Sequence, residues 1–447
     1  MSPRGPRTPT VRLGVALGGL ALVLGGCTTP APRPLPAGTP AAGPSGPAST
    51  SSPPVPLAAP PAGSGARPST LARAGAQADL DRLFAAGRSG DRAGWDAGVL
   101  TLDAPSAVRA AMLFDNLRAV RPSRLRVHLT GAVQQLPAAR RAALPPDARL
   151  LQATLAWRLP GEDADASSSV WLTLVPGAQG WQLVGTEDGA GLDAPALPLW
   201  WLAPVERVTR GQVTVLTGPG QDPARWATLA VRAAADARAH LPAPLRRGWD
   251  GHLVVEVPGS GTDLARVLGA APTAYATTAA VTRPEGPTTA AAVRVVVNPA
   301  VSGDTDAELG TTLTHETVHV ATRSARSPAP RWAVEGLAEY VALEAHPDER
   351  ADERAALRRG VVPAALPVGA RFTAGGQDAT AAYAEAWLAC RAVAQHRGRT
   401  DLGRFYAALD DGRTVQQASR SALGVDRATL TRWWRDAVRR AAADRRG

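Results

Sequence analysis

At 447 residues the chain exceeds one ordinary domain, and its two cysteines, Cys27 and Cys390, exclude a disulfide-stapled scaffold. The net charge of +10 comes from arginine alone: there is no Lys and no Ile, and only two Asn, Asn116 and Asn298. Such a bias reads as the codon usage of a high-GC genome. The arginines are spread along the chain with no aromatic-interleaved basic cluster, so no nucleic-acid partner is expected.

Arg4, Arg7 and Arg12 precede an apolar run, Leu13 to Gly26, too short to span a bilayer as a permanent helix. Residues 1–27 are therefore expected to be a leader. It ends in Leu24-Gly25-Gly26-Cys27, which resembles a bacterial lipobox. That resemblance implies a lipidated Cys27 and a chain anchored at the outer face of the cytoplasmic membrane. Cys390 is then left without a disulfide partner and is expected as a buried small apolar residue. Residues 28–70 collapse to Pro, Ala, Gly, Ser and Thr, which cannot bury enough apolar surface to fold. They read as a tether, about 40 residues reaching about 35 Å if flexible.

Residues 71–203 read as an accessory α+β domain. Ala76–Gly87 and Ala104–Val120 have helical apolar spacing, carried by Leu80, Leu83 and Phe84 and by Val108, Met112, Leu113 and Leu117. Arg124–Thr130, Leu150–Leu159, Ser168–Val175 and Trp181–Thr186 alternate as strands, the last two joined through a Pro-Gly-containing turn. Two helices followed by a curled antiparallel sheet resembles the nuclear-transport-factor-2-like or cystatin-like fold. No charged or histidine cluster in this part points to chemistry.

A second domain is expected over 205–447. Gln212–Leu216, His252–Val257, Thr277–Thr282 and Val293–Asn298 read as strands, and Pro223–His240 as a helix. Thr305-Asp306-Ala307-Glu308 is a capping box ahead of a helix that carries His315-Glu316-Thr317-Val318-His319. Residues four apart share a helical face, so His315 and His319 can point at one metal ion while Glu316 reaches a water on it. Pro330 suits the first turn of a second helix, which would present Glu335 and Glu339 on one face. Two histidines and a carboxylate match the three protein ligands of a hydrolytic zinc site, with Glu335 as third ligand and Glu339 behind a histidine ring. Ala379–Arg397, Leu402–Leu409 and Asp426–Ala442 read as further helices.

The H-E-x-x-H pattern followed by Trp332-Ala333-Val334-Glu335-Gly336-Leu337-Ala338-Glu339 resembles the gluzincin branch of zinc metallopeptidases. The likeness to thermolysin-like and aminopeptidase-N-like enzymes covers about 35 residues well. It implies an α+β catalytic domain with a short sheet and a mostly helical C-terminal half. It also implies a Zn2+ cofactor, a peptide or protein substrate, and Glu316 as general base. Tyr383 is the implied oxyanion donor. By the same resemblance the strand before the zinc helix, with Val295 and Val297, is a sheet edge along which substrate lies. The alternative is a non-catalytic, metal-containing binding or scaffold lipoprotein of the envelope. A site blocked by the accessory domain or by the loop Arg323–Pro328 would point to that alternative.

Overall fold

The computed structural model describes residues 70–189, 196–288, 290–357, 362–373 and 376–443; the expected leader, Cys27 and nearly all of the tether lie outside the described residues. Among the described residues no helix is long and apolar enough to cross a membrane. The architecture is α+β. Helices α1 (Thr70–Ser89) and α2 (Ala104–Val120) pack on a sheet with the order β1-β2-β3-β4. Its strands are β1 (Arg124–Gln134), β2 (Arg149–Arg158), β3 (Ala166–Gly177) and β4 (Gly180–Gly185), all antiparallel. Local chemistry accounts for the elements. Asp103 and Ser106 cap α2 reciprocally, and β2 buries Leu151, Ala153, Leu155 and Trp157 in alternation.

The junction expected between two domains is welded. Asn116, buried on α2, donates to Trp200 O and Ala203 O at 2.6 and 2.7 Å and accepts from Val205 N at 3.0 Å. Trp200 and Trp201 are fully buried there. The second sheet, ordered β5-β6-β7-β9-β8, begins immediately after. It comprises β5 (Glu206–Arg210), β6 (Val213–Thr217), β7 (Leu253–Val257), β8 (Ala280–Pro284) and β9 (Val293–Val297). One face, with Leu216, Val254, Val281 and Val296, belongs to the core of the N-terminal layer. The other face, with Val215, Val255, Val295 and Val297, belongs to a helical core. Both faces are therefore covered, which is why these strands read as continuous apolar runs.

This order corrects one expectation. β9 is not an edge: it pairs parallel with β7 and antiparallel with β8. Val295 and Val297 are buried against helices, so they cannot line a substrate path there. β8 takes the outer position because it folds back on β9 as a hairpin. Its residues Ala280 to Arg283 are themselves buried, and they offer no bare strand edge.

The helical layer contains α3 (Pro223–His240), α4 (Asp306–Thr322), α5 (Arg331–Ala345), α6 (Gly376–Arg397), α7 (Arg399–Asp410) and α8 (Arg427–Ala443). Thr305 and Glu308 form the expected capping box on α4. Cys390 is buried on α6. Gly336 sets the crossing of α5 and α6, since a Cβ there would sit 2.4 Å from Ala386 O. Helix propensity favours Ala over Gly by about 1 kcal/mol, but driving a methyl into backbone costs typically 1–3 kcal/mol or more. Gly336→Ala is therefore expected to destabilise the fold, read as a lowered denaturant midpoint; an unchanged or raised midpoint would refute this packing account.

A buried ionic cluster ties the N-terminal layer to the second sheet. Arg294 on β9 holds Glu162, from the β2–β3 connection, at 2.8 and 2.9 Å, and Glu256 on β7 at 3.0 Å. Arg283 on β8 forks onto Glu285 at 2.6 and 2.9 Å. Burial pushes the Glu256 carboxyl up to about 7, against the pull of Arg294. A carboxyl that binds its proton more tightly when folded costs stability as pH rises from its unfolded pKa through about 7. Glu256→Gln is thus expected to raise unfolding free energy at pH 8 by about 1–3 kcal/mol, and far less at pH 5. Urea melts at the two pH values check it; an equal effect at both would sink the assignment.

Candidate metal centre

Helix α4 supplies His315, Glu316 and His319, and α5 supplies Glu335 and Glu339. The two helices pack so that three ligand atoms converge. His315 Nε2 lies 3.0 Å from His319 Nε2 and 3.2 Å from Glu335 Oε2, and His319 Nε2 lies 3.4 Å from Glu335 Oε2. Tetrahedral bonds of about 2.0–2.1 Å place neighbouring ligand atoms roughly 3.3 Å apart, so the donor set fits a zinc ion.

Each outward ring nitrogen has a partner. His315 Nδ1 meets Glu339 Oε1 at 3.3 Å, and an ionised carboxylate can only accept, so Nδ1 carries the proton. His319 Nδ1 meets Ser324 Oγ at 2.7 Å. Ser324 is placed by Arg323, which ends α4 in the left-handed conformation with φ 50°. Both Nε2 atoms then face Glu335 Oε2, an arrangement compatible with a bound cation. Burial would lower the His315 pKa, but Glu339 and Glu335 outweigh it and raise it well above the ordinary value. Against the cost of burial, Arg331 and then His319 hold the Glu335 carboxyl well below the usual range. The Arg331 contact is a charge pairing, Nε to Glu335 Oε1 at 2.7 Å.

Glu316 stands apart from the ligand set. Its Oε2 accepts from Thr282 Oγ1 on β8 at 2.5 Å, while Oε1 is buried with no hydrogen-bond partner among the described residues. Burial raises its pKa. Tyr383 on α6 has its ring 6.2 Å from that of His315, bonds to Arg331 and packs edge-on against Phe372. Its hydroxyl pKa is raised well above normal, chiefly by burial. The whole cluster is enclosed: His315 is 5% exposed, and Glu316, His319 and Glu335 are 0% exposed. Beyond the end of α4, Arg323 pairs with Asp163 of the N-terminal layer and Arg326 donates to Gly286 O at 2.5 Å.

The structure brings together His315, Glu316, His319, Glu335 and Glu339 and places Tyr383 beside them, while Val295 and Val297 lie in the sheet interior. Thr282, Ser324 and Arg331 also touch the cluster and were not singled out by sequence reasoning. Arg331, four residues before Glu335, carried the spacing of a helical ion pair. Thr282 and Ser324 carried no local signal. No protein-family model matches the chain, and no curated protein is similar to it.

Proposed function

We propose that the chain is a zinc-dependent peptidase of gluzincin type, preceded by a nuclear-transport-factor-2-like layer and held at the outer face of the membrane through Cys27. The observation that supports it is the spacing of His315 Nε2, His319 Nε2 and Glu335 Oε2, all within 3.4 Å of one another. Zinc, when bound, supplies a Lewis acid that activates water and polarises a peptide carbonyl. Glu316, fixed through Oε2 by Thr282, turns Oε1 to the attacking water, takes its proton and passes it to the leaving amine. Glu339 and Ser324 hold the histidine rings with their Nε2 atoms inward. Tyr383 donates to the oxyanion that develops on the substrate.

The enclosure of the site favours a second reading, a zinc-containing scaffold that cleaves nothing. Glu316 and His319 are fully buried, and Asp163 of the N-terminal layer grips the turn after α4. One experiment separates the readings: elemental zinc analysis of the purified full chain, beside digestion of unfolded casein with and without a chelator. About one zinc per chain with chelator-sensitive cleavage supports the peptidase. Zinc without cleavage supports the scaffold, and a chain that takes up no zinc refutes both.

A further inference from the structure

We propose that the groove along α8 is a binding site for a phosphate-bearing anion. Leu430, Trp434 and Val438 form the buried stripe of α8, and Trp434 Nε1 donates to Glu385 O on α6 at 2.9 Å. Arg427, Arg435 and Arg439 recur at multiples of four residues on a different face, Arg432 stands beside them, and Arg420 reaches in from the turn before α8. These five guanidinium groups line a groove of about 810 Å³ that contains two carboxylates, Asp426 and Asp436. Both carboxylates are engaged. Asp436 pairs with Arg439 at 2.5 Å, and Asp426 Oδ1 accepts from Thr429 N at 2.8 Å.

The remaining four arginines form no ion pair within 4 Å among the described residues, though Arg432 and Arg420 act on the Asp426 charge and Arg432 donates to Thr429 Oγ1 at 3.0 Å; Arg435 Nε is buried without a hydrogen-bond partner. Elsewhere the less exposed arginines are answered by carboxylates, as at Arg294, Arg283 and Arg371, or by backbone carbonyls, as at Arg207 and Arg326. Gathering like charges in a concavity is unfavourable unless an anion joins them. Guanidinium forks fit phosphate oxygens two at a time, and five lining one groove suit a phosphomonoester or phosphodiester better than a lone carboxylate. Among the described residues no aromatic side chain lines the groove, so they offer no stacking platform of the kind a single-stranded nucleic acid would use. An anionic phospholipid headgroup and a soluble phosphate polymer share the required chemistry.

The test compares the full chain with Arg420→Gln/Arg427→Gln, both exposed positions, at low and high salt. One arm measures binding to inorganic polyphosphate. The other measures co-sedimentation with vesicles of phosphatidylglycerol mixed into phosphatidylcholine, against phosphatidylcholine alone. The expected result is binding in at least one arm, weakened about tenfold or more in the variant and abolished by high salt. The vesicle arm is read as the ratio of variant to wild type, because any N-terminal anchor contributes equally to both. Loss confined to the polyphosphate arm identifies a soluble polymer, and loss confined to the vesicle arm a headgroup. Binding to neither probe overturns the proposal. So does binding at wild-type strength by both this variant and Arg432→Gln/Arg435→Gln.

Discussion

Glu316→Gln is expected to cut peptide cleavage by about 10²–10⁴-fold while leaving the zinc content at the wild-type value. The carboxylate is no ligand: its Oε2 is committed to Thr282, and the metal-facing atoms are His315 Nε2, His319 Nε2 and Glu335 Oε2. A glutamine amide can still accept from Thr282 and fills the same space, so the fold has no reason to change. What it cannot do is take a proton. The substitution also removes a carboxylate buried at a cost, so folding stability is expected to hold or rise. Zinc analysis, a melt and a casein digest on the same preparation decide the matter. Cleavage at the wild-type rate would remove Glu316 from the mechanism.

The second large effect is on the metal. His319→Ala is expected to reduce zinc from about one per chain to near none, because two remaining ligands hold zinc far more weakly than three. The same change leaves Ser324 Oγ without its ring partner and opens a cavity in a region that is fully buried. A ligand that binds only the folded chain stabilises it by about 4 kcal/mol at a thousandfold excess over its dissociation constant. A chelator should therefore lower the melting temperature of the wild type by several degrees and leave His319→Ala unmoved. A wild type indifferent to the chelator would show that the three ligand atoms converge without holding an ion.

Much of the architecture was legible along the chain, and for a common reason. Helix caps, four-residue spacings and strand alternation are set by residues within one or two turns of each other. Thr305 and Glu308 announce α4, and His315 and His319 share a face on any helix that includes them. β1 and β2 of the N-terminal layer follow the same logic, since each alternates its buried side chains, whereas β3 buries Val170 to Val175 in one run. β5 was not foreseen: Glu206–Arg210 has little apolar content, and it becomes a strand only by pairing with β6.

By itself, then, the sequence determined which side chains share a helical face and hence which atoms can meet a metal. The tertiary structure decided what surrounds them. Strand order depends on which apolar faces find cover: the valine-rich β9 lies inside and β8, with Thr282 and Arg283, lies outside, an order that the packed layers settle. Thr282 reaches Glu316 only because β8 runs beside α4, and Asp163 reaches Arg323 only because the two layers share a core. The enclosure of the His315, His319 and Glu335 cluster has the same origin: burial is a property of neighbours that lie far away in sequence and near in space.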